Sequence, residues 1–289
     1  MKEFSKKLYA WCVKLLQSVV SLLSVLFFSS RRCARILSRL AAKGTGEQPC
    51  VILANGPSLN KSIERYGDGL SRYKKVAVNM FCATPMFQKM RPDYYVLADP
   101  FFFSDAEPEE WRAHQREDIV RAMSEVSWEM TLLLPSINRG SRLASRITND
   151  KLHVVYYNLT PVEGFLSLQH CLFRKNLGMP ISMNVLCASL FLMINLGYQE
   201  VYLLGADHSW IESMFVNDNN QLVLGDRHFY GTKQIISDKT LSQELGCQSQ
   251  CFRTHERLAE YARLRHCKVW NATPESFIDA YDRKLLEEK

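Results

Sequence analysis

The chain has 289 residues, of which 47% are hydrophobic and 23% charged, a composition that allows one large domain or two small ones and excludes wholesale disorder. The net charge is +6, but it is unevenly distributed. Residues 1–45 carry nine Lys/Arg and one acidic residue, whereas the rest of the chain carries 27 Lys/Arg and 29 acidic residues. Because the positive charge is confined to the N-terminal segment, the composition argues against a nucleic-acid-binding core.

The first predicted element is an apolar helix over residues 8–28, with basic residues on both sides. Its 21 residues would reach about 31 Å, which is enough to cross a bilayer. A narrow polar stripe recurs at three- and four-residue steps, as in a helix that lies in the plane of a membrane surface. The stripe consists of Lys14, Gln17, Ser18, Ser21 and Ser24.

We expect residues 8–39 to attach the protein to the cytoplasmic face of a bacterial inner membrane. Residues 1–45 would form the membrane-associated segment, 40–48 the linker and 46–289 the catalytic domain. The arginines after the apolar run disfavour a cleaved signal peptide and an anchor with an external enzyme. A spanning helix, an in-plane helix and a soluble partner-binding helix stay open, as does a homo-oligomer.

Strands and helices alternate in the rest of the chain, which predicts an α/β fold with a doubly wound, mostly parallel sheet. The predicted strands are 51–53, 74–80, 93–98, 130–134, 152–157, 200–205 and 267–270, and the predicted helices are 109–126, 183–196, 255–265 and 274–286. Helix 183–196 is apolar on all sides and precedes Gly197, which indicates a buried helix with a glycine cap. Residues 206–250 lack periodicity, which indicates a lid.

The first predicted strand leads into Asn55-Gly56-Pro57-Ser58. Gly56 permits a sharp turn without a Cβ clash, and Pro57 suits the first turn of a helix. Asn55 and Ser58 add short polar side chains at the carboxyl end of the strand, where open α/β sheets bind ligands. The loop therefore predicts a nucleotide cradle, although it matches neither the P-loop nor the GxGxxG pattern.

Further polar residues follow other predicted strands. Asn79 ends the second, Asp99 follows the third, and Asp207 follows strand 200–205. Each alone is an ordinary cap or turn residue, but the ends of parallel strands should converge at one edge of the sheet. Within residues 206–250, His228 is a candidate general base, because histidine changes protonation near working pH. An exposed structural histidine is the alternative.

The nine cysteines are odd in number, and several lie within apolar runs. This pattern is typical of reduced, buried thiols in a cytosolic compartment. Cys247, Cys251 and His255 are spaced four residues apart, which would place them on one helix face. Because a zinc site usually needs four ligands, we interpret this spacing as helix packing and predict no metal site.

Two short blocks resemble known families. They are residues 55–59 (Asn-Gly-Pro-Ser-Leu) and 184–207, which ends in Leu-Gly-Tyr-Gln-Glu-Val-Tyr-Leu-Leu-Gly-Ala-Asp. They are similar to the bacterial CMP-sialic-acid-dependent sialyltransferases and to the superfamily containing the archaeal 6-hydroxymethylpterin diphosphokinases and many polysaccharide-cluster proteins. The likeness extends loosely over residues 50–280. It implies a Rossmann-like, GT-A-like fold with nucleotide-binding residues at Asn55, Gly56, Pro57, Ser58, Asn79, Asp99 and Asp207.

By the same resemblance, His228 would deprotonate the acceptor hydroxyl in an inverting displacement. The family's tyrosines at the leaving phosphate have no counterpart at the matching positions, so we assign that role to Tyr230. Asp99 stands where the family has a nucleotide-contacting Asn, and Pro-Ile-Ser-Met at 180–183 replaces the family's Arg-Ile-Thr-Ser.

These residues predict a membrane-associated glycosyltransferase that transfers an acidic nonulosonic sugar from a CMP donor to a lipid-linked or surface-glycan acceptor. No Asp-x-Asp pair ends a predicted strand, so no cofactor is required, although a divalent metal is compatible. The alternative is an ATP- and Mg²⁺-dependent diphosphokinase, with Asp99 and Asp207 near the phosphates. A third reading is a non-catalytic nucleotide-binding subunit.

Overall fold

The computed structural model describes residues 2–44, 48–104 and 110–287. Within them the chain has an α/β fold built on an eight-stranded sheet, in which each neighbouring pair of strands is parallel. The strands of the chain are β1 (Cys50–Leu53), β2 (Lys74–Val78), β3 (Tyr94–Val96), β4 (Met130–Pro135), β5 (Leu152–Tyr157), β6 (Glu200–Leu204), β7 (Met214–Val216), β8 (Leu222–His228), β9 (Gly231–Ile236), β10 (Lys268–Asn271) and β11 (Asp282–Arg283).

Helices flank the sheet and precede it. They are α1 (Lys2–Phe28), α2 (Arg31–Ala42), α3 (Leu59–Tyr66), α4 (Pro85–Met90), α5 (Glu110–Ser124), α6 (Arg142–Arg146), α7 (Leu166–Arg174), α8 (Val185–Leu196) and α9 (Leu241–Leu264). The predicted alternation of strands and helices is thereby confirmed between β1 and β6. Glu109, the predicted start of helix 109–126, lies outside the described residues.

The strand order places the ends of β1 and β6 side by side. The order is β11-β10-β6-β1-β2-β3-β4-β5. From β1 the chain builds the sheet outward through β5 and then returns to the other side of β1 with β6. A crevice opens where the direction of winding reverses, at the carboxyl ends of the strands. Here it lies between the loop after β1 and the loop after β6.

Each face of the sheet has its own hydrophobic core. Successive side chains of a strand point to opposite faces. Accordingly, Cys50 and Ile52 of β1 pack in a core with α2, α8 and α9, whereas Val51 and Leu53 pack in a second core with α3, α4 and α5. All four residues are fully buried. This double burial explains why β1 is a continuous apolar run in the sequence.

Helix α8 confirms the predicted buried helix. Asn184 caps its start, because its Oδ1 accepts the amide of Cys187 at 3.0 Å. Gly197 ends it with φ +96°, a conformation that glycine adopts without a Cβ penalty. Every α8 residue from Leu186 to Leu196 is buried, because the helix is covered by the sheet, α2 and α9.

Residues 206–250 contain regular structure that the sequence pattern did not indicate. Strands β7, β8 and β9 form a three-stranded antiparallel sheet, and β8 and β9 make a hairpin in which His228 pairs with Gly231. Helix α9 begins at Leu241, well before the predicted start at 255. Much of β9 is exposed, so no strong apolar alternation marks this small sheet in the sequence.

The predicted helix at 274–286 is wrong. The segment is an irregular turn followed by the short strand β11, and Glu275 has φ +51°. Side chains donate hydrogen bonds to its backbone carbonyls: Arg283 donates to Thr273 O at 2.8 Å and to Ser276 O at 2.6 Å. These side-chain hydrogen bonds satisfy the carbonyls without a helix, and the positive φ of Glu275 departs from helical backbone.

The N-terminal segment divides into two helices with different environments. Helix α1 is mostly exposed, with large apolar side chains at its surface. Helix α2 packs against β5 and α8 and buries Cys33, Ala34 and Leu37. It therefore belongs to the core of the α/β fold. Of the predicted linker 40–48, Leu40–Ala42 lie in α2, and residues 45–47 lie outside the described residues.

The centre of the polar stripe of α1, Ser18 and Ser21, is buried against the rest of the protein. Ser18 Oγ accepts the amide of Phe165 at 3.0 Å, and Ser21 Oγ accepts the amide of Glu163 at 2.9 Å. Gly164, between them, approaches so closely that a Cβ there would lie 2.6 Å from the Ser18 backbone nitrogen. The stripe is thus a docking face for residues 163–165, and the apolar faces of α1 point away from it.

Candidate functional site

A cavity of about 390 Å³ opens at the junction of β1 and β6. We call it the switch-point cavity. The loop after β1, the ends of β2 and β3, the start of α8, the loop after β6 and β8 all contribute to its wall. Its lining includes most of the residues that the sequence singled out, namely Asn55, Gly56, Pro57, Asn79, Asp99, Asp207 and His228.

A second cavity of about 580 Å³ adjoins the first. It is bordered by Phe101, Trp111 and Tyr230, so we call it the aromatic cavity. Four residues line both cavities: Asn55, Asn79, Asp99 and His228. The structure thereby brings together side chains from three strand ends and the β8–β9 hairpin along one shared border.

The loop after β1 is bound tightly to the loop after β6. Gly56 N donates to Gly205 O at 2.8 Å, and a Cβ at Gly56 would lie 2.0 Å from Asp207 Oδ2. Ser58 donates to the Asp207 carboxylate from its hydroxyl at 2.8 Å and from its amide at 3.2 Å. The carboxylate thus sits at the start of α3, in the loop that the sequence predicts as a nucleotide cradle. A phosphate bound in this loop would have to use other groups or displace Asp207.

Burial is the main influence on the Asp207 carboxyl, and it raises the pKa above the ordinary value. The hydrogen bonds from Ser58 act in the opposite direction. Asp99 differs, because it is exposed and its Oδ1 accepts the amide of Phe101 at 3.0 Å. Both carboxylates border the switch-point cavity, but each already accepts hydrogen bonds from its own neighbourhood.

Asn55 carries an unpaired acceptor at the shared border. Its Nδ2 donates to Val78 O at 3.2 Å. Its Oδ1 is buried and has no hydrogen-bond partner among the residues that the structure describes. A buried acceptor without a partner costs free energy, so a ligand that brings an N–H or O–H donor to this atom would be favoured.

His228 is held in place by the same loop. Its Nδ1 lies 3.2 Å from Asn55 O, a carbonyl that can only accept, so Nδ1 carries the proton. In the neutral ring, Nε2 then has the lone pair that a base needs. The ring stacks on Tyr230 at 4.9 Å between centroids, and Phe229 N donates to Asn55 O at 3.1 Å. The hairpin thus presents His228 at the border of the two cavities.

Two cations lie over aromatic rings in the aromatic cavity. Lys233 Nζ is 3.8 Å from the centroid of the Trp111 ring, and the Arg112 guanidinium is 4.2 Å from that of Phe101. Both side chains line this cavity, as does the carboxylate of Asp99. No sequence motif marks these residues, because Trp111 and Lys233 are far apart in the chain and belong to a helix and a hairpin strand.

A buried sulfur- and imidazole-rich cluster adjoins the switch-point cavity. Cys187, Cys251 and His255 place one ligand atom each within 4.8 Å of the others, and they are the one such group of metal-ligating side chains in the described part of the chain. Hydrogen bonding with Cys187, His208 and His255 lowers the pKa of the Cys251 thiol, whereas burial raises that of Cys187. Cys247, which the sequence spacing included, is not a member.

The remaining predicted site residues have clear positions. Ser58 lies behind the wall of the switch-point cavity, where its hydroxyl donates to Asp207. Tyr230 lines only the second of the two cavities, the aromatic cavity. His208, which follows Asp207 at the end of a predicted strand, lines the switch-point cavity, and so does Asn184, which was not predicted as a site residue. The position of Asn184 is recognisable in the sequence, since an Asn directly before an apolar helix is a typical N-terminal cap.

No family model matches the chain, and neither the curated proteins nor the solved structures contain a significant match to it. The chemistry of the two cavities is therefore the basis for a functional proposal.

Proposed function

We propose that the protein is a membrane-associated glycosyltransferase with a Rossmann-like, GT-A-like catalytic domain. The observation that carries this proposal is the border at which the two cavities meet beside His228. A transfer reaction needs two substrates whose reacting atoms come within about 3–3.5 Å of each other. Two adjoining cavities with a candidate base between them suit such a reaction better than a single closed pocket would.

The nucleotide of the donor would occupy the switch-point cavity. This position is supported by the general preference of open α/β sheets for ligands at the point where the winding reverses. The buried Asn55 Oδ1 supports it as well, since a ribose hydroxyl or a base amino group would supply the donor that this atom lacks. Asn79 and Asp99 would complete the polar contacts along the border.

His228 would act as the general base that takes the proton from the acceptor hydroxyl. Its Nδ1 proton is directed to Asn55 O, which leaves Nε2 as the proton acceptor. Tyr230, stacked on the imidazole, would stabilise the leaving phosphate through its hydroxyl. This pairing would allow inverting transfer without a required metal ion.

The resemblance to the CMP-sialic-acid-dependent sialyltransferases is the reason for proposing an acidic donor sugar. A CMP-linked acidic sugar is therefore our proposed donor, and a lipid-linked or surface glycan our proposed acceptor.

Helix α1 would lie in the plane of the cytoplasmic membrane surface. Within the described residues it is the one helix with the length and apolar composition to cross a bilayer. Ser18 lies about 15 Å from the end of the helix at Phe28, so a spanning α1 would place it near the middle of the hydrocarbon core. Residues 163–165, bonded to Ser18 and Ser21, would then be drawn into lipid at high cost.

A ligand panel tests the nucleotide assignment. The full-length protein in detergent is heated with CMP, CDP, UDP or ATP, each with and without Mg²⁺. We expect CMP to raise the melting temperature most, and without Mg²⁺. Stabilisation by ATP–Mg²⁺ alone would favour the diphosphokinase and contradict the proposal, and no response to any nucleotide would contradict it as well.

A histidine variant tests the base. We expect His228→Ala to lower transfer of labelled sugar from CMP-sialic acid to a glycolipid extract by about 10²–10⁴-fold, the usual contribution of a general base. Stabilisation by CMP should remain. The control is His153→Ala, because His153 is exposed, pairs with Glu129 and lines neither cavity. Full activity of His228→Ala would reject this role.

A further inference from the structure

We propose that Cys187, Cys251, His255 and His208 form a structural zinc site beside the switch-point cavity. The residues come from three separate parts of the fold: α8, α9 and the loop after β6. All four are buried. This assignment does not depend on the proposed transferase activity, because it concerns a different set of side chains.

The separations of the ligand atoms suit tetrahedral zinc. Bonds of about 2.3 Å to sulfur and about 2.0–2.1 Å to nitrogen imply distances of about 3.3–3.8 Å between ligand atoms. Cys187 Sγ lies 3.6 Å from His255 Nε2, and the Sγ atoms of Cys187 and Cys251 and His255 Nε2 all lie within 4.8 Å of one another. His208 is not in this group, and its Nε2 is 3.0 Å from His255 Nε2, closer than two ligands of one zinc ion, so its ring would shift to bind the ion as the fourth ligand.

The Tyr281 hydroxyl is placed to hold His255 in the tautomer that a metal ligand requires. Its oxygen lies 3.2 Å from His255 O and 2.9 Å from His255 Nδ1, so with its proton directed to that carbonyl it would accept the Nδ1 proton. Nε2 of the neutral ring then carries a lone pair directed into the cluster. Metal-bound histidines generally have an outer hydrogen bond of this type, which fixes the ring and strengthens the ligand.

The second histidine presents a lone pair to the same space. Asn184 Oδ1 accepts the amide of Cys187, so its Nδ2 is identified as the donor that lies 3.0 Å from His208 Nε2 and 3.1 Å from Cys251 Sγ. His208 Nε2 and His255 Nε2 lie 3.0 Å apart, a distance at which one ring nitrogen donates to the other while no ion is bound. A zinc ion would replace that proton and bind the Nε2 lone pairs together with the two sulfurs.

The zinc site would stabilise the wall of the switch-point cavity. His208 directly follows Asp207, whose carboxylate accepts the hydrogen bonds of Ser58. A zinc ion bound to His208 would tie this loop to α8 and α9. With four protein ligands and no open position, the ion would have a structural role. Sequence spacing could not reveal the site, because Cys187 and His208 belong to distant segments.

Metal analysis of the full chain tests this proposal. The protein is purified in detergent without a metal-affinity tag or chelator, supplemented with zinc sulfate, desalted, and measured by plasma mass spectrometry. We expect about one zinc ion per chain, as a closed four-ligand site holds. Cys187→Ser and Cys251→Ser should lose the zinc. Cys247→Ser, which alters the half-exposed cysteine one turn earlier on α9, should keep it.

Two measurements on the unaltered protein remain decisive if a cysteine variant fails to fold. Titration with a mercurial reagent should release zinc in proportion to the thiols it blocks. Replacement by cobalt should produce thiolate-to-cobalt charge-transfer bands and the visible bands of tetrahedral cobalt. Any of four results would overturn the proposal. These are a zinc content no higher than background, an equal loss of zinc from Cys247→Ser, the absence of the cobalt bands, and a Cys187–Cys251 disulfide found by mass spectrometry.

Discussion

Gly56 shows how one small residue allows the candidate site to form. It lies where the loop after β1 passes against the loop after β6, and its amide donates to Gly205 O at 2.8 Å. A Cβ at this position would lie 2.0 Å from Asp207 Oδ2 and 2.4 Å from Gly205 O. The need for glycine thus comes from the contact between two distant loops, in addition to the sharp turn that the sequence indicated.

We expect Gly56→Ala to lower the free energy of unfolding by about 1–3 kcal/mol, the usual cost of overpacking a close contact. Denaturant unfolding of the full-length protein measures it. The control is Gly246→Ala in α9, where an added Cβ meets nothing within 4 Å. That variant should be as stable as the original or more stable by about 0.5–1 kcal/mol, because alanine is favoured in helices. Equal stability of both variants would contradict the predicted clash.

At the scale of the element, helix α1 shows that a polar stripe can indicate a protein contact. The stripe predicted a face toward water at a membrane surface. In the structure Ser18 and Ser21 accept the amides of residues 163–165, and Gly164 has φ +100°. The periodicity identified the face correctly, but its partner became visible only after the loop between β5 and α7 was in place.

We expect Gly164→Ala to loosen α1 from the α/β fold. The new Cβ would lie 2.6 Å from Ser18 N and 2.8 Å from Lys14 O, so the helix backbone has to move away. Hydrogen–deuterium exchange over residues 14–21 should rise. Gly140→Ala is the matched control, because Gly140 also has positive φ but open space around it. If both variants exchange alike, backbone strain explains the effect and the close contact does not.

The whole molecule divides at Phe28, between α1 and α2. Helix α1 exposes its apolar side chains, whereas α2 contributes Cys33, Ala34 and Leu37 to the core. Ser29 and Ser30 connect α2 to the sheet region as well, since Ser30 N donates to Asn158 Oδ1 at 2.8 Å. A shortened chain that lacks α1 therefore has to retain α2.

Two truncations test this division. Deletion of residues 2–28 should release a folded protein from the membrane fraction. Deletion of residues 2–40 should destabilise the fold, because the loss of Leu37 alone is comparable to core truncations that cost about 2–5 kcal/mol. Membrane fractionation and thermal unfolding measure the two effects. Persistent membrane binding of the shorter deletion would locate the attachment elsewhere, and equal stability of the two would exclude α2 from the core.

Sequence reasoning failed in two segments for different reasons. The exposed strands of the small antiparallel sheet have little apolar alternation, so residues 206–250 were predicted as a loop. At 274–286 the apolar spacing indicated a helix, but Arg283 and Asn271 hold the backbone carbonyls of an irregular turn. These side-chain contacts join residues on either side of the turn, and local periodicity does not record them.

The sequence by itself determined the features that depend on neighbouring residues: seven of the eight strands of the parallel sheet, the buried helix α8 with its glycine cap, the apolar N-terminal helix and the polar residues at strand ends. Tertiary structure alone decided which of these meet. It brought Asp207 into hydrogen-bonding contact with Ser58, His228 into hydrogen-bonding contact with Asn55, and Cys187 next to Cys251. The physical reason is that periodicity reports which face of an element is buried, whereas the strand order brings segments more than a hundred residues apart to one edge of the sheet.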